Sequence, residues 1–93
     1  MVFSEIQAEK TPHATPLLRL SVFGQTAEEP LITQAVQRFS VSINILQAHI
    51  ESIRHQTLGV MLVEIQGDEN NIIHALDLLR SKGVHIEVMG YVT

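Results

Sequence analysis

Two apolar runs stand back to back in the middle of this chain, Ile43 to Arg54 and Thr57 to Gly67, separated only by a tight turn near His55-Gln56. Rich in Ile, Val and Leu, they read as two strands of a hairpin, and any fold must be arranged around that pair. Alternation in the first places Leu46, Ala48 and Ile50 on one face and Ile43, Ile45 and Ile53 on the other. In the second, Leu58, Val60 and Leu62 oppose Met61, Val63 and Ile65. Both strands are therefore apolar on both faces. A sheet with one wet face shows polar residues there. β-Branched residues favour strands in any case, but a patch of this size on a small domain points to a second copy covering the open face or the edge.

The flanks supply the rest of the order. Leu17 to Phe23 alternates, with Leu18, Leu20 and Val22 on one side and Arg19 and Ser21 on the other, and Gly24 ends it. Glu28-Glu29-Pro30 is a helix start, placing negative charge and a proline in the first turn. Leu31, Ile32, Ala35, Val36 and Phe39 then follow at helical spacing. After the hairpin, Asp68 is placed to cap a second helix carrying Ile72, Ala75, Leu76 and Leu79 at i, i+3, i+4 and i+7. Gly83 supplies a left-handed stop. Val84, Ile86 and Val88 alternate with His85, Glu87 and Met89 in a last strand. The order is βαββαβ, an α+β class. Right-handed crossovers turn it into a ferredoxin-like sandwich, a four-stranded antiparallel sheet with two helices on one face. Residues 1–16 have no sustained period and contain Thr11-Pro12-His13-Ala14-Thr15-Pro16, which reads as a linker or disordered N-terminal segment before a domain spanning 17–93.

Composition excludes several functions. A net charge of −4 with only six Lys and Arg leaves no basic surface for a phosphate backbone, so no nucleic acid is expected as partner. RNA-recognition modules share this strand order but need stacking aromatics on the central strands. Here the outward positions of the first strand are Leu17, Arg19, Ser21 and Phe23, and the third strand has no aromatic. Without cysteine there is no thiolate metal site or thiol nucleophile. The five histidines, His13, His49, His55, His74 and His85, include no i, i+4 helical pair and read as solvated. The serines show no glycine-flanked nucleophile turn. Gly24-Gln25-Thr26-Ala27-Glu28-Glu29, with one glycine, no lysine and two acids, is a poor phosphate cradle, which argues against an acylphosphatase-type chemistry. The P-loop is absent, so no ATP hydrolysis is expected of this chain by itself. The longest apolar run, Leu58 to Val63, is too short to span a bilayer, and Glu5 and Glu9 interrupt any signal-like start, so a cytoplasmic domain is expected.

What remains is small-ligand binding. Asn44, beside Ile43, Ile45 and Leu46, puts a donor and an acceptor at the mouth of an apolar strand. Taken alone, it reads first as a strand-start asparagine bonding its own backbone. Four motifs shift that weighting: Arg38-Phe39 closing a helix, Asn44-Ile45-Leu46 opening a strand, Gly59-Val60-Met61-Leu62 in the next strand, and Val88-Met89-Gly90-Tyr91-Val92 at the end. In this order and spacing they resemble the NIL domain, named for its Asn-Ile-Leu and found at the C-terminus of the ATP-binding subunit of bacterial methionine ABC importers. The resemblance runs from Leu17 to Val92. It implies a regulatory domain that binds free L-methionine between two copies, the motif asparagine contacting the ligand. Asn44 is the matching position, and Ile45, Leu46 and Met61 would offer an apolar wall to the thioether.

The resemblance implies further a homodimer that feeds internal methionine back onto import. ATP and magnesium would belong only to the parent subunit, which would meet a permease partner at the cytoplasmic face of the inner membrane. Val41-Ser42-Ile43 stands before Asn44 where family members often carry more asparagines, so the ligand's polar contacts would differ in detail. The loop Gly24 to Leu31 also resembles the layout of ACT domains, which keeps open a free-standing amino-acid sensor, with a ligand-free dimerisation module as a third reading.

Overall fold

A computed structural model describes residues 6–7, 14–24 and 30–92. Its elements are β1 (Ile6–Gln7), β2 (Thr15–Phe23), α1 (Leu31–Phe39), β3 (Ser42–Ile53), β4 (Gln56–Gln66), α2 (Glu69–Ser81) and β5 (His85–Val92). The sheet order is β1-β5-β2-β4-β3, antiparallel at every pair. Its last four strands are in the ferredoxin-like order, as expected. Strand β1 is an addition: Ile6 lies across from Val92 and Gln7 from Tyr91 on the outer edge of β5. Two residues carry no period, so alternation could not announce them. Both these residues and Thr15-Pro16 of β2 fall within the span read as a linker; Thr11-Pro12-His13 and the acidic pair Glu28-Glu29 lie outside the described residues.

The core sits between one sheet face and both helices. Leu18, Leu20 and Val22 of β2 and Val63 and Ile65 of β4 meet Leu31 and Ala35 of α1 and Ala75 and Leu79 of α2. No polar side chain is buried among the described residues. At Gly59 a Cβ would come 3.1 Å from Val22 Cγ2, so a larger residue there would require the Val22 side chain to give by a few tenths of an ångström. Asp68 occupies the N-cap of α2, but its side chain makes no capping bond. At the other end Gly83 adopts φ 90°, its N–H donating to Arg80 O at 3.0 Å and that of Val84 to Leu79 O at 3.0 Å. This closes a Schellman motif whose apolar contact joins Val84 to Leu79 in the core.

Strand β4 alternates as the sequence implies, with Met61, Val63 and Ile65 toward the helices and Leu58, Val60 and Leu62 away from them. Strand β3 does not. Ile45 opposes Val63 while Gln47 opposes Leu62, so Leu46 is an extra, bulged residue. The bulge resets the two-residue period. Ile43, Ile45, Ala48 and Ile50 therefore share the helix-side face, and Asn44, Gln47, His49, Glu51 and Ile53 the other. The expected grouping of Leu46 with Ala48 and Ile50 against Ile43, Ile45 and Ile53 is thus corrected, and β3 is not apolar on its uncovered face. Ile50 lies on the helix side yet is 74% exposed, because the hairpin runs past the end of the helical layer.

The hairpin turns at Arg54-His55, one residue earlier than expected, with Ile53 facing Gln56. Both turn residues have positive φ, 50° and 68°, as a type I′ turn demands. Neither is the Asn or Gly that this turn prefers, and a residue with a Cβ is disfavoured there by roughly 1–2 kcal/mol. Replacing Arg54-His55 with Asn-Gly is expected to stabilise the domain by about 1 kcal/mol, read as a melting temperature higher by roughly 4–8 °C. An unchanged or lower melting temperature would show that the strain is relieved elsewhere.

Candidate functional site

The uncovered face of the sheet carries an apolar stripe inside a polar rim. Phe23, Ile53, Leu58, Val60 and Leu62 form the stripe, with Phe23 53% exposed. On one side Arg19 pairs with Glu87 across β2 and β5. On the other, His49 Nε2 and Glu51 Oε1 are 2.9 Å apart along β3. All four side chains are 44–66% exposed, so these pairs contribute little to stability and mainly keep polar groups beside, not on, the stripe.

Asn44 stands at one end of this face, on the edge strand, just before the bulge. It is exposed and lies directly opposite Glu64 of β4, beyond which Leu17 of β2 is buried. Its side-chain amide makes no hydrogen bond to any described residue. The asparagine does not serve its own backbone, the reading its sequence context first favours. A free amide with two donors and one acceptor, at the rim of an apolar surface, is competent to hold a small polar group.

The other expected wall residues are not gathered around it. Ile45 points to the helix side opposite Val63 and is 48% exposed. Leu46 is the bulged residue, half-buried between the faces. Met61 opposes Leu20 and Ala48 and packs against the core. Asn44 and Met61 thus lie on opposite faces of the sheet within one chain. What sequence reasoning missed is Glu64 and the bulge. Glu64 was visible as the one charge inside the apolar run Leu58 to Ile65, but its neighbour across the sheet was not.

Among the described residues no group of three His, Asp or Glu side chains converges on a metal-sized site. His49 and His85 share the uncovered face but are separated by β2 and β4. A cleft of about 480 Å³ opens on the helix side between β2, β5 and the start of α2, walled by Pro16, Leu18, Ile72, Leu76, Val88 and Tyr91; it includes none of Asn44, Ile45, Leu46 and Met61. Among the described residues, no helix is long and apolar enough to cross a membrane.

Comparison with known proteins gives this geometry a context. The NIL domain family model matches residues 16–88. The methionine import ATP-binding protein MetN of Photorhabdus laumondii is 36% identical over 88 residues, which covers 95% of this chain and 26% of that protein. That of Escherichia coli K12 is 34% identical over 87 residues, covering 94% of the chain and 25% of the relative. The chain therefore spans about a quarter of the length of the curated relatives it matches. The crystal structure of the C-terminal domain of an ABC transporter ATP-binding protein from Enterococcus faecalis superposes with a TM-score of 0.70 at 32% identity, covering 81% of this chain and 83% of that one. With the sheet order, the Asn-Ile-Leu strand and these matches in agreement, the chain belongs to the NIL domain family.

Proposed function

We propose that this chain is the regulatory domain of a methionine importer's ATP-binding subunit, a homodimer that holds L-methionine between two copies and damps import when internal methionine is high. The observation that carries the reading is the unbonded Asn44 amide on an uncovered, partly apolar sheet face, in a chain matched over its length by methionine import ATP-binding proteins. Asn44 bonds the ligand's polar end and leaves the thioether to apolar neighbours. Asn44 and Ile45 of one chain face opposite ways, so a ligand between two copies meets Asn44 of one and an apolar wall such as Ile45 and Leu46 of the other. Met61 supports that wall from the core.

Regulation then follows from linkage. Methionine acts on the importer only through its different affinity for the arrangements of the paired domains, and the arrangement it favours keeps the ATP sites of the parent apart. ATP and magnesium act in the parent's nucleotide-binding part, which meets the permease at the cytoplasmic face of the inner membrane. This chain's residues bind and position; they do not hydrolyse ATP.

Two measurements on the 93-residue chain test this. Sedimentation at micromolar concentration is expected to show a dimer; 10.4 kDa at every concentration would remove self-association. Calorimetry is expected to show methionine binding more tightly than leucine or norleucine. Equal binding of leucine would transfer the domain to a broader class of apolar amino-acid sensors.

A further inference from the structure

We infer that Glu64 is a second ligand-binding residue, the counter-ion for the α-ammonium group of a free amino acid whose carboxylate is held by Asn44. The inference rests on the amino-acid-binding reading above and assigns the polar half of that same site.

Glu64 has no structural reason to be where it is. Glutamate is depleted in strands, and here it interrupts the run Leu58 to Ile65 on a central strand. Its side chain is half-buried and forms no ion pair or hydrogen bond with any described residue. The cation nearest in register on this face, Arg19, sits diagonally across on β2 and is engaged by Glu87. Partial burial of an unpaired carboxylate is unfavourable, and a site that awaits a cation accounts for it.

The neighbours define which cation. Directly opposite residues on an antiparallel pair have Cβ atoms about 5 Å apart, and Asn44 is the residue opposite Glu64. A carboxylate acceptor beside a neutral amide donor matches the α-ammonium and α-carboxylate of an amino acid, which sit on one carbon. On the far side Leu17 closes the site, and Leu62, two residues along β4 on the same face, offers half-buried apolar surface to the ligand's side chain. The bulge at Leu46 interrupts the ladder two residues beyond Asn44, a usual place for a bulge that re-aims side chains at a site. With one anion and one neutral donor, the site favours ligands that keep the ammonium group.

The test is calorimetry on the full chain as wild type, Glu64→Gln and Glu64→Asp, with L-methionine and with its des-amino analogue 4-(methylthio)butanoate. Glu64→Gln conserves shape and removes charge, and is expected to weaken methionine roughly tenfold to hundredfold. It should leave the des-amino acid unchanged or improve it, because that ligand has only a carboxylate to offer. Glu64→Asp should recover part of the loss. Methionine binding within twofold of wild type in Glu64→Gln overturns the assignment and leaves the parent reading intact. Equal loss of both ligands also overturns it, by making Glu64 a general support of the fold. Absence of methionine binding by wild type overturns the parent reading and this assignment with it.

Discussion

Aspartate in place of Met61 is expected to unfold the domain, whereas aspartate in place of Ile45 is expected to leave it folded and to weaken self-association. Both side chains lie on the helix side of the sheet, two strand positions that alternation alone would treat alike. Met61 packs on the core beside Leu20, where an unpaired charge costs several kcal/mol. A domain of this length has about 5–14 kcal/mol to lose, and a small core places it toward the lower end. Ile45 is 48% exposed on the edge strand, so a charge there stays hydrated in the single chain and is buried only when a second copy covers it. Far-UV circular dichroism and sedimentation separate the two effects. A folded Met61→Asp variant with native melting would contradict the placement of Met61 in the core, and an Ile45→Asp dimer of unchanged strength would remove that edge from the interface.

The second large effect is on ligand-linked stability. A ligand that binds only the folded protein stabilises it by about 2.7 kcal/mol at a hundredfold excess over Kd. For a domain of this size that raises the melting temperature by on the order of 10 °C. Asn44→Ala is expected to raise Kd by about 5-fold to 150-fold, from leaving a bonded polar group unpaired, and so to remove between about a third and nearly all of the shift at the same ligand concentration. The apo melting temperature should not change, since Asn44 is exposed and its amide supports no other described residue. In the parent importer the same substitution should leave basal ATP hydrolysis intact and make it insensitive to internal methionine. A full methionine-induced shift in Asn44→Ala would remove Asn44 from the site; loss of basal hydrolysis with inhibition retained would remove the regulatory reading.

Local chemistry made much of the fold legible. The helical spacing of Ile72, Ala75, Leu76 and Leu79 and the glycine after them marked α2 and its end, because both signals are written within a few residues. Strand β4 has an unbroken register with β2, so alternation divided it correctly into two sets, and the packing of Val63 and Ile65 against the helices decided which set is inward. The Asn-Ile-Leu strand and the closing Val-Met-Gly-Tyr-Val carry the family resemblance in the sequence itself.

The site was less legible for a physical reason. A strand's period is a property of its own residues only while its partner keeps step, and at Leu46 the partner does not. That one extra residue puts Ile50 on the helix side with Ile43 and Ile45 and leaves Gln47, His49, Glu51 and Ile53 on the uncovered face. A second irregularity, where Leu17 opposes Gly90 and Leu18 opposes Val88, leaves Met89 unpaired in β5 for the same reason. Sequence by itself determined the βαββαβ order, the core faces of β2 and α2, the two alternating sets of β4, and the identity of Asn44 as the candidate polar residue. Only the tertiary structure decided that Glu64 stands opposite Asn44 and that Met61 does not share its face, because cross-strand neighbours are set by a long-range register that no local pattern encodes.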